Sequence, residues 1–196
     1  IAAGFDGVEV HGGNGYLIDQ FLRSSTNRRS DGYGGSKENR ARLLLEIIVA
    51  VTAAIGNDRV GLRLSPVTPF NDIADADPQA TFDYVVGELN SFDLAFLDIL
   101  QGTGGEPRDH WLPFDYARLR AIYRGKLILN NGYDFATGQA AVQSGAADAI
   151  AYGRALLANP DLVERFRRGA PLNQPDYERL YVGEEKGYTD YPFLAG

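Results

Sequence analysis

Residues 7–16, GVEVHGGNGY, combine a short apolar run with a histidine and a loop that holds three glycines. Four similar apolar runs follow at residues 60–65, 94–100, 126–130 and 149–152, and segments of helical spacing separate them. Short, nearly continuous apolar runs are typical of strands that are buried on both faces of a parallel sheet. Their alternation with helices therefore predicts an α/β fold with right-handed crossovers.

Capping residues indicate where the helices begin. The clearest helix is predicted from Ser36 to about residue 55, with Ser36 as its N-cap. The pairs Asp77-Pro78 and Asn159-Pro160 each predict a helix that has proline at its first position, where the missing N–H is not needed. Asp134 is expected to cap a further helix.

The number of strands leaves two architectures open. A closed (β/α)8 barrel has eight strands and typically about 250 residues, whereas this chain has 196 residues and five strand candidates. The pattern fits either an open, doubly wound sheet or a barrel without its first strands. Because the chain opens without methionine, we expect it to be a fragment or a processed form.

Composition narrows the class of protein. The net charge of -7 disfavours nucleic acid as a partner. Cysteine is absent, which excludes disulfides, thiol nucleophiles and cysteine-ligated clusters. His11 and His110 are too far apart for a local metal motif, so no metal is expected. With no apolar segment of about 20 residues and no signal-peptide pattern, we expect a cytoplasmic protein with small-molecule substrates and no membrane association.

Function in parallel α/β folds collects at the carboxyl ends of the strands. The first predicted strand ends in His11, with Asn14 and Tyr16 just beyond it. An imidazole and an amide could donate hydrogen bonds to a carbonyl oxygen and stabilise an enolate, while a phenol could supply a proton. The alternative is a structural histidine beside a turn.

Two further features indicate that the protein binds an anion. Arg63 lies inside an apolar strand, either paired with a carboxylate such as Glu9 or facing a bound anion, and we favour the anion. Glycine turns follow the last two strands, as in barrels that bind phosphate there. These turns are Asn131-Gly132-Tyr133 and Tyr152-Gly153-Arg154. By contrast, the charge-rich segment 23–36 predicts a solvated loop.

Taken in order, these motifs resemble the old yellow enzyme family of flavin ene-reductases. Residues 11–29 and 33–40 carry the most specific similarity, and residues 61–66, 153–162 and 187–192 support it. The resemblance implies an FMN-binding (β/α)8 TIM barrel. Residues 1–196 would be the C-terminal portion of that one domain, from about its fourth strand to its eighth and the C-terminal segment, with the N-terminal strands absent.

The resemblance also implies roles for individual residues. His11 and Asn14 would grip the substrate carbonyl, Tyr16 would protonate the α-carbon, and Arg63 would lie near N1 of the flavin. The two glycine turns would hold the FMN phosphate, and Tyr181 would line the substrate pocket.

The reaction implied is reduction of FMN by NADH or NADPH, followed by hydride transfer to the C=C bond of an α,β-unsaturated carbonyl or nitro compound. Asp98 and Gln101 depart from the family pattern, which has histidine and glutamate there. The partner of such a flavoenzyme would be the missing N-terminal half of the barrel. Two alternatives stay open: a non-catalytic half-barrel that associates with itself, and a flavin-free phosphate-binding barrel enzyme.

Overall fold

A computed structural model describes residues 1–103, 113–180, 182 and 184–195. The chain divides into two compact units, Ile1–Ile150 and Ala151–Gly196. Among the described residues, no helix is long and apolar enough to cross a membrane.

The five predicted strands all form, and they assemble in chain order into one sheet. The pairings β1–β2, β2–β3 and β3–β4 are parallel. The strands are β1 (Val8–His11), β2 (Val60–Leu64), β3 (Phe96–Leu100), β4 (Leu127–Asn130) and β5 (Ala149–Ala151). A doubly wound sheet reverses its strand order at a switch point, whereas a (β/α)8 barrel adds each strand beside the previous one. The sequential order therefore identifies part of a barrel.

Helices follow the strands as the alternation predicts. The first unit contains α1 (Leu17–Leu22), α2 (Lys37–Ile55), α3 (Pro78–Leu89), α4 (Tyr116–Ile122) and α5 (Phe135–Gln143). The second unit contains α6 (Arg154–Ala158) and α7 (Leu162–Arg168). Short 3-10 turns occur at Asn57–Arg59 and Phe70–Asp72.

Three of the predicted N-caps are confirmed. The side chains of Ser36 and Asp77 accept hydrogen bonds from backbone N–H groups of the first turns of α2 and α3. Asp134 forms a capping box with Thr137 at the start of α5. These bonds satisfy N–H groups that have no partner within the helix.

The cap predicted at Asn159 is wrong. The last helix begins at Leu162, and Asn159 is instead a buried residue that fixes the chain beyond that helix. Its amide donates to the carbonyl oxygens of Ala155 and Asn173, at 2.9 and 3.2 Å, and its Oδ1 accepts from the Asn173 N–H at 2.7 Å. These bonds hold the Asn159 side chain toward Asn173 and away from the first turn of the last helix.

The two faces of the sheet differ in chemistry. Side chains that pack against the helices are apolar and buried, among them Leu62, Leu97 and Leu127. Residues at alternate positions point to the opposite face, and there Arg63 is the register partner of both His11 and Asp98. We call this the polar face. β1 and β5 are more exposed than the three strands between them, so burial on both faces holds for those three alone.

An aromatic ring occupies the polar face near the amino ends of β2 and β3. Gly61 is the register partner of Phe96. A Cβ added at Gly61 would collide with the Phe96 ring, so the ring fills the space that a side chain at position 61 would need. Glycine at position 61 is what allows the ring to lie there.

Candidate active site

His11 and Tyr16 lie together where β1 ends. Their ring centroids are 5.5 Å apart, with the ring planes inclined at 53°. The N–H of Gly12 donates to the Arg63 carbonyl oxygen at 2.8 Å, which continues the pairing with β2 past the last residue of β1. Both side chains are largely exposed, so a ligand can reach the imidazole and the phenol from the same side.

Asn14 completes this loop in a left-handed conformation, with φ at 57°. Its N–H donates to Ser65 Oγ at 2.7 Å, and its carbonyl oxygen accepts from Asn71 Nδ2 at 3.0 Å. Its side-chain Oδ1 is buried without a hydrogen-bond partner among the described residues. Because buried polar atoms are usually paired, this amide is a candidate for a ligand contact.

A buried ion pair anchors the same loop. The Asp19 carboxylate accepts from the Gly15 N–H at 3.0 Å and from Ser65 Oγ at 3.3 Å. Arg23 Nε lies 2.7 Å from the other carboxylate oxygen, and the Asp19 and Arg23 side chains are 0% and 2% exposed. The guanidinium also donates to the Ser65 carbonyl oxygen. One carboxylate thus connects the loop, α1 and the end of β2.

Sequence reasoning missed this anchor. It placed Arg23 in a solvated segment, which is correct for the exposed Arg28 and Arg29 but wrong for Arg23. The available signal was the spacing of Asp19 and Arg23, four residues apart at the end of a helix, where opposite charges meet.

Arg63 lies on the polar face one strand away from His11. Its Nη1 donates to Asp98 Oδ2 at 2.9 Å and its Nη2 to Asn130 Oδ1 at 3.2 Å. Asn130 Nδ2 in turn donates to the other oxygen of Asp98. The structure thus shows the alternative that the sequence disfavoured, an ion pair with a carboxylate, and the partner is Asp98 on the strand at the other side, not Glu9. The favoured contact with a bound anion stays a prediction. The Arg63 side chain is 25% exposed, which leaves part of the guanidinium accessible.

Burial and the charge of Arg63 shift the pKa values of the titratable groups nearby. Burial raises the pKa of Asp98, and the Arg63 guanidinium partly offsets that rise. Burial also raises the pKa of Glu9, and the negative charge of Asp98 adds to that rise. Partial burial and then the Arg63 guanidinium lower the pKa of His11, which favours the neutral imidazole.

The turn after β4 is tied to the loop after β3. Asn131 and Gly132 both have positive φ, at 82° and 70°. Asn131 Nδ2 donates to the Gln101 carbonyl oxygen at 2.6 Å, and the Tyr133 hydroxyl donates to Gln101 Oε1 at 2.7 Å. Gln101, singled out in the sequence as a departure from the family pattern, is the buried centre of this contact.

In the second unit, Gly153 precedes the first residue of α6, Arg154, whose side chain is exposed. The ring of Tyr152 packs edge-on against Phe166 at 5.3 Å. Space around Gly153 is open at the position of its missing Cβ. Tyr181, predicted to line a substrate pocket, lies outside the described residues.

Known proteins resemble this chain in sequence. The model of the NADH:flavin oxidoreductase / NADH oxidase family matches residues 1–173. A probable flavin mononucleotide-dependent alkene reductase of Leishmania infantum is 52% identical over 197 residues, covering 99% of this chain and 52% of the relative.

Solved structures agree with the sequence relatives. Morphinone reductase in complex with tetrahydroNAD matches with a TM-score of 0.91 and 46% identity, over 99% of this chain and 52% of that one. The old yellow enzyme from Trypanosoma cruzi matches with a TM-score of 0.93 and 38% identity, over 98% of this chain and 51% of that one.

The chain belongs to the NADH:flavin oxidoreductase / NADH oxidase family. The resemblance to old yellow enzymes that the sequence motifs indicate is thereby confirmed. The chain spans about half the length of the relatives it matches.

Proposed function

We propose that this chain carries the carbonyl-binding and flavin-facing residues of an FMN-dependent ene-reductase. The overall reaction would use NADH or NADPH to reduce the C=C bond of an α,β-unsaturated carbonyl or nitro compound. The observation that carries this proposal is the placement of His11, Tyr16 and Arg63 at the carboxyl ends of two paired strands. Family membership favours flavin chemistry over a flavin-free phosphate barrel.

The polar face suits an isoalloxazine ring. Arg63 presents a partly exposed guanidinium, and Asp98 and Asn130 hold it from below. A fixed cation at this place would stabilise the negative charge that a reduced flavin carries at N1. Accepting hydride from a nicotinamide and passing it to an alkene is the chemistry that FMN supplies when bound.

The loop after β1 would handle the substrate carbonyl. The lowered pKa of His11 favours the neutral imidazole, whose one ring N–H would donate a hydrogen bond to the carbonyl oxygen. The N–H₂ group of the Asn14 side chain would donate the second hydrogen bond to that oxygen. Two donors at one oxygen polarise the conjugated C=C bond and favour attack at the β-carbon.

Tyr16 would supply the proton. Its exposed phenol lies beside the His11 ring, in reach of a substrate whose oxygen the imidazole holds. Protonation of the α-carbon from the Tyr16 hydroxyl would complete the reduction while the hydride adds to the β-carbon.

Cofactor binding by the two glycine turns is also part of the proposal. Positive φ values at Asn131 and Gly132 support close backbone approach by a ligand near Tyr133. The exposed guanidinium of Arg154, after Tyr152 and Gly153, supports contact with an anion. A cytoplasmic location and self-association stay predictions.

Visible absorbance tests the proposed function. The purified protein is incubated with FMN, separated from free flavin, and scanned over the flavin bands. We expect retained flavin that NADH or NADPH bleaches and that a cyclic enone restores under anaerobic conditions. Protein that retains no flavin, or reduced flavin that no enone reoxidises, would overturn the proposal.

A further inference from the structure

Asn14 is held on both sides by residues that follow β2. Ser65 Oγ accepts its N–H at 2.7 Å, and Asn71 Nδ2 donates to its carbonyl oxygen at 3.0 Å. Ser65 and Asn71, which lie 51 and 57 positions after Asn14, therefore fix the two peptide groups on either side of the Asn14 side chain. The direction in which that side chain points depends on the segment after β2.

The two loops also touch through their backbones. Gly15 has φ at 73°, and a Cβ added there would collide with the carbonyl oxygen of Phe70 and approach the Asn71 Cβ. Close backbone approach of this kind requires glycine. The Phe70–Asp72 turn thus lies directly against the loop that carries Asn14.

We propose that Asn71 is a positioning residue for the carbonyl-binding loop. Its amide fixes the Asn14 peptide, and through it the Asn14 side chain, in the orientation that receives the substrate oxygen. The inference rests on the proposed function and adds a residue from a second loop to it.

Burial separates this role from a role in stability. Ser65 and Asp19, which hold the same loop from the inside, are fully buried, and their replacement would damage the core. Asn71 is exposed, and its side-chain amide reaches across to a single carbonyl oxygen. Removing that amide should therefore loosen Asn14 while the fold is kept.

The backbone offers a matched control. Asn71 and Asp72 are adjacent residues of one turn, with φ at 59° and 57°. Glycine adopts this left-handed conformation without strain, so Asn71→Gly and Asp72→Gly relieve the backbone equally. Only the first removes the donor to Asn14, since no hydrogen bond described joins Asp72 to residues 11–16. Asn71→Asp is a second variant, which keeps the side-chain shape and replaces the donor with an acceptor.

Hydrogen–deuterium exchange of the peptide that contains residues 12–16 tests the contact without any cofactor. We expect Asn71→Gly and Asn71→Asp to speed exchange of the Asn14 and Gly15 amides about two- to tenfold relative to Asp72→Gly, the range for loss of one hydrogen bond. Equal exchange in all three variants would overturn the proposal.

Binding of p-hydroxybenzaldehyde to the FMN-loaded protein tests the consequence. The phenolate form of p-hydroxybenzaldehyde should bind about two- to tenfold more weakly to both Asn71 variants than to the wild type. The KM for a cyclic enone should rise, while the rate of flavin reduction stays unchanged. Unchanged phenolate affinity despite faster exchange would overturn the positioning role. Faster exchange in a protein that never retains FMN would support the contact and overturn the proposed function instead.

Discussion

The guanidinium of Arg63 and the carboxylate of Asp98 occupy register-paired positions on β2 and β3, with Nη1 2.9 Å from Oδ2. The pair lies on the polar face, and Asn130 bridges it by bonding to both partners. Asp98 therefore does two things at once. It fixes the guanidinium in place, and it neutralises part of the charge that a bound flavin would experience.

Replacing Asp98 with asparagine should make bound FMN easier to reduce. The introduced amide could still accept a hydrogen bond from Arg63, but the negative charge would be gone, so the anionic reduced flavin would be stabilised further. Because burial raises the pKa of Asp98, the comparison is best made at pH 8, where the carboxylate is more fully ionised. A redox titration against reference dyes should give a midpoint potential more positive than that of the wild type.

Asp83→Asn provides the control for that titration. The Asp83 carboxylate is also paired with an arginine, Arg118 at 2.6 Å, but it belongs to α3, among the helices on the other side of the sheet. Its replacement should leave the flavin potential unchanged. A potential in Asp98→Asn that equals the wild-type value or lies below it would contradict the charge argument.

Tyr16→Phe should separate the two half-reactions. The phenylalanine ring keeps the packing against His11 but has no proton to give. Oxidation of reduced flavin by an enone should slow about 10²- to 10⁴-fold, the range for general acid catalysis. Reduction of the flavin by the nicotinamide should keep its rate in stopped-flow measurements. Equal slowing of both half-reactions would argue against Tyr16 as the proton donor.

The pKa of His11 should lie below the ordinary histidine value. Its pKa is lowered by partial burial and by the positive charge of Arg63. The folded protein thus binds this proton more weakly than the unfolded chain, so stability should decrease as the pH falls through about 6.5. NMR titration of the imidazole protons gives the pKa directly, since the chain has only two histidines and His110→Gln assigns the other.

The Arg63→Gln variant tests whether the guanidinium contributes to the lowered pKa of His11. Loss of the guanidinium should move the His11 pKa back toward 6.5, whereas an unchanged value would show that burial alone accounts for the shift. A wild-type pKa above 6.5 would contradict the neutral imidazole in the proposed mechanism.

The buried Asp19–Arg23 pair should be important for stability. Asp19→Ala leaves the Arg23 guanidinium buried without its carboxylate and leaves the Gly15 N–H without an acceptor. Breaking such a pair on one side costs about 3–5 kcal/mol, measurable as a lower urea midpoint. The exposed pair of Arg29 and Asp31 is the control, because solvent screens it and its loss in Arg29→Ala should barely change the urea midpoint. Similar losses in both variants would refute the distinction.

The sequence predicted the strands and three helix caps correctly, because strands and caps depend on residues that are neighbours in the chain. The partner of Arg63 depends on register, which local patterns do not determine. β2 has a neighbour on each side, with Glu9 opposite Gly61 and Asp98 opposite Arg63. A shift of two residues in the first pairing would have placed Glu9, the example of a carboxylate partner, beside Arg63.

The anchor at Asp19 was hidden for a different reason. A carboxylate and a guanidinium four residues apart fit an exposed helix face as well as a buried one. In the folded protein, Arg23 contacts the Ser65 carbonyl oxygen and the Phe82 ring. Both residues lie more than 40 positions further along the chain than Arg23. Contacts of that range become visible only once the strands are assembled.

The Phe96 ring covers Gly61 and gives the polar face an aromatic floor near the amino ends of β2 and β3. Substitutions at Asp98 or Asn130, nearer the carboxyl ends, can alter the chemistry of the face while that floor stays in place. Positions 61 and 96 are not independent in the same way, since any side chain gained at 61 requires a smaller one at 96. Positions 98 and 130 should therefore tolerate single substitutions, whereas positions 61 and 96 should change together.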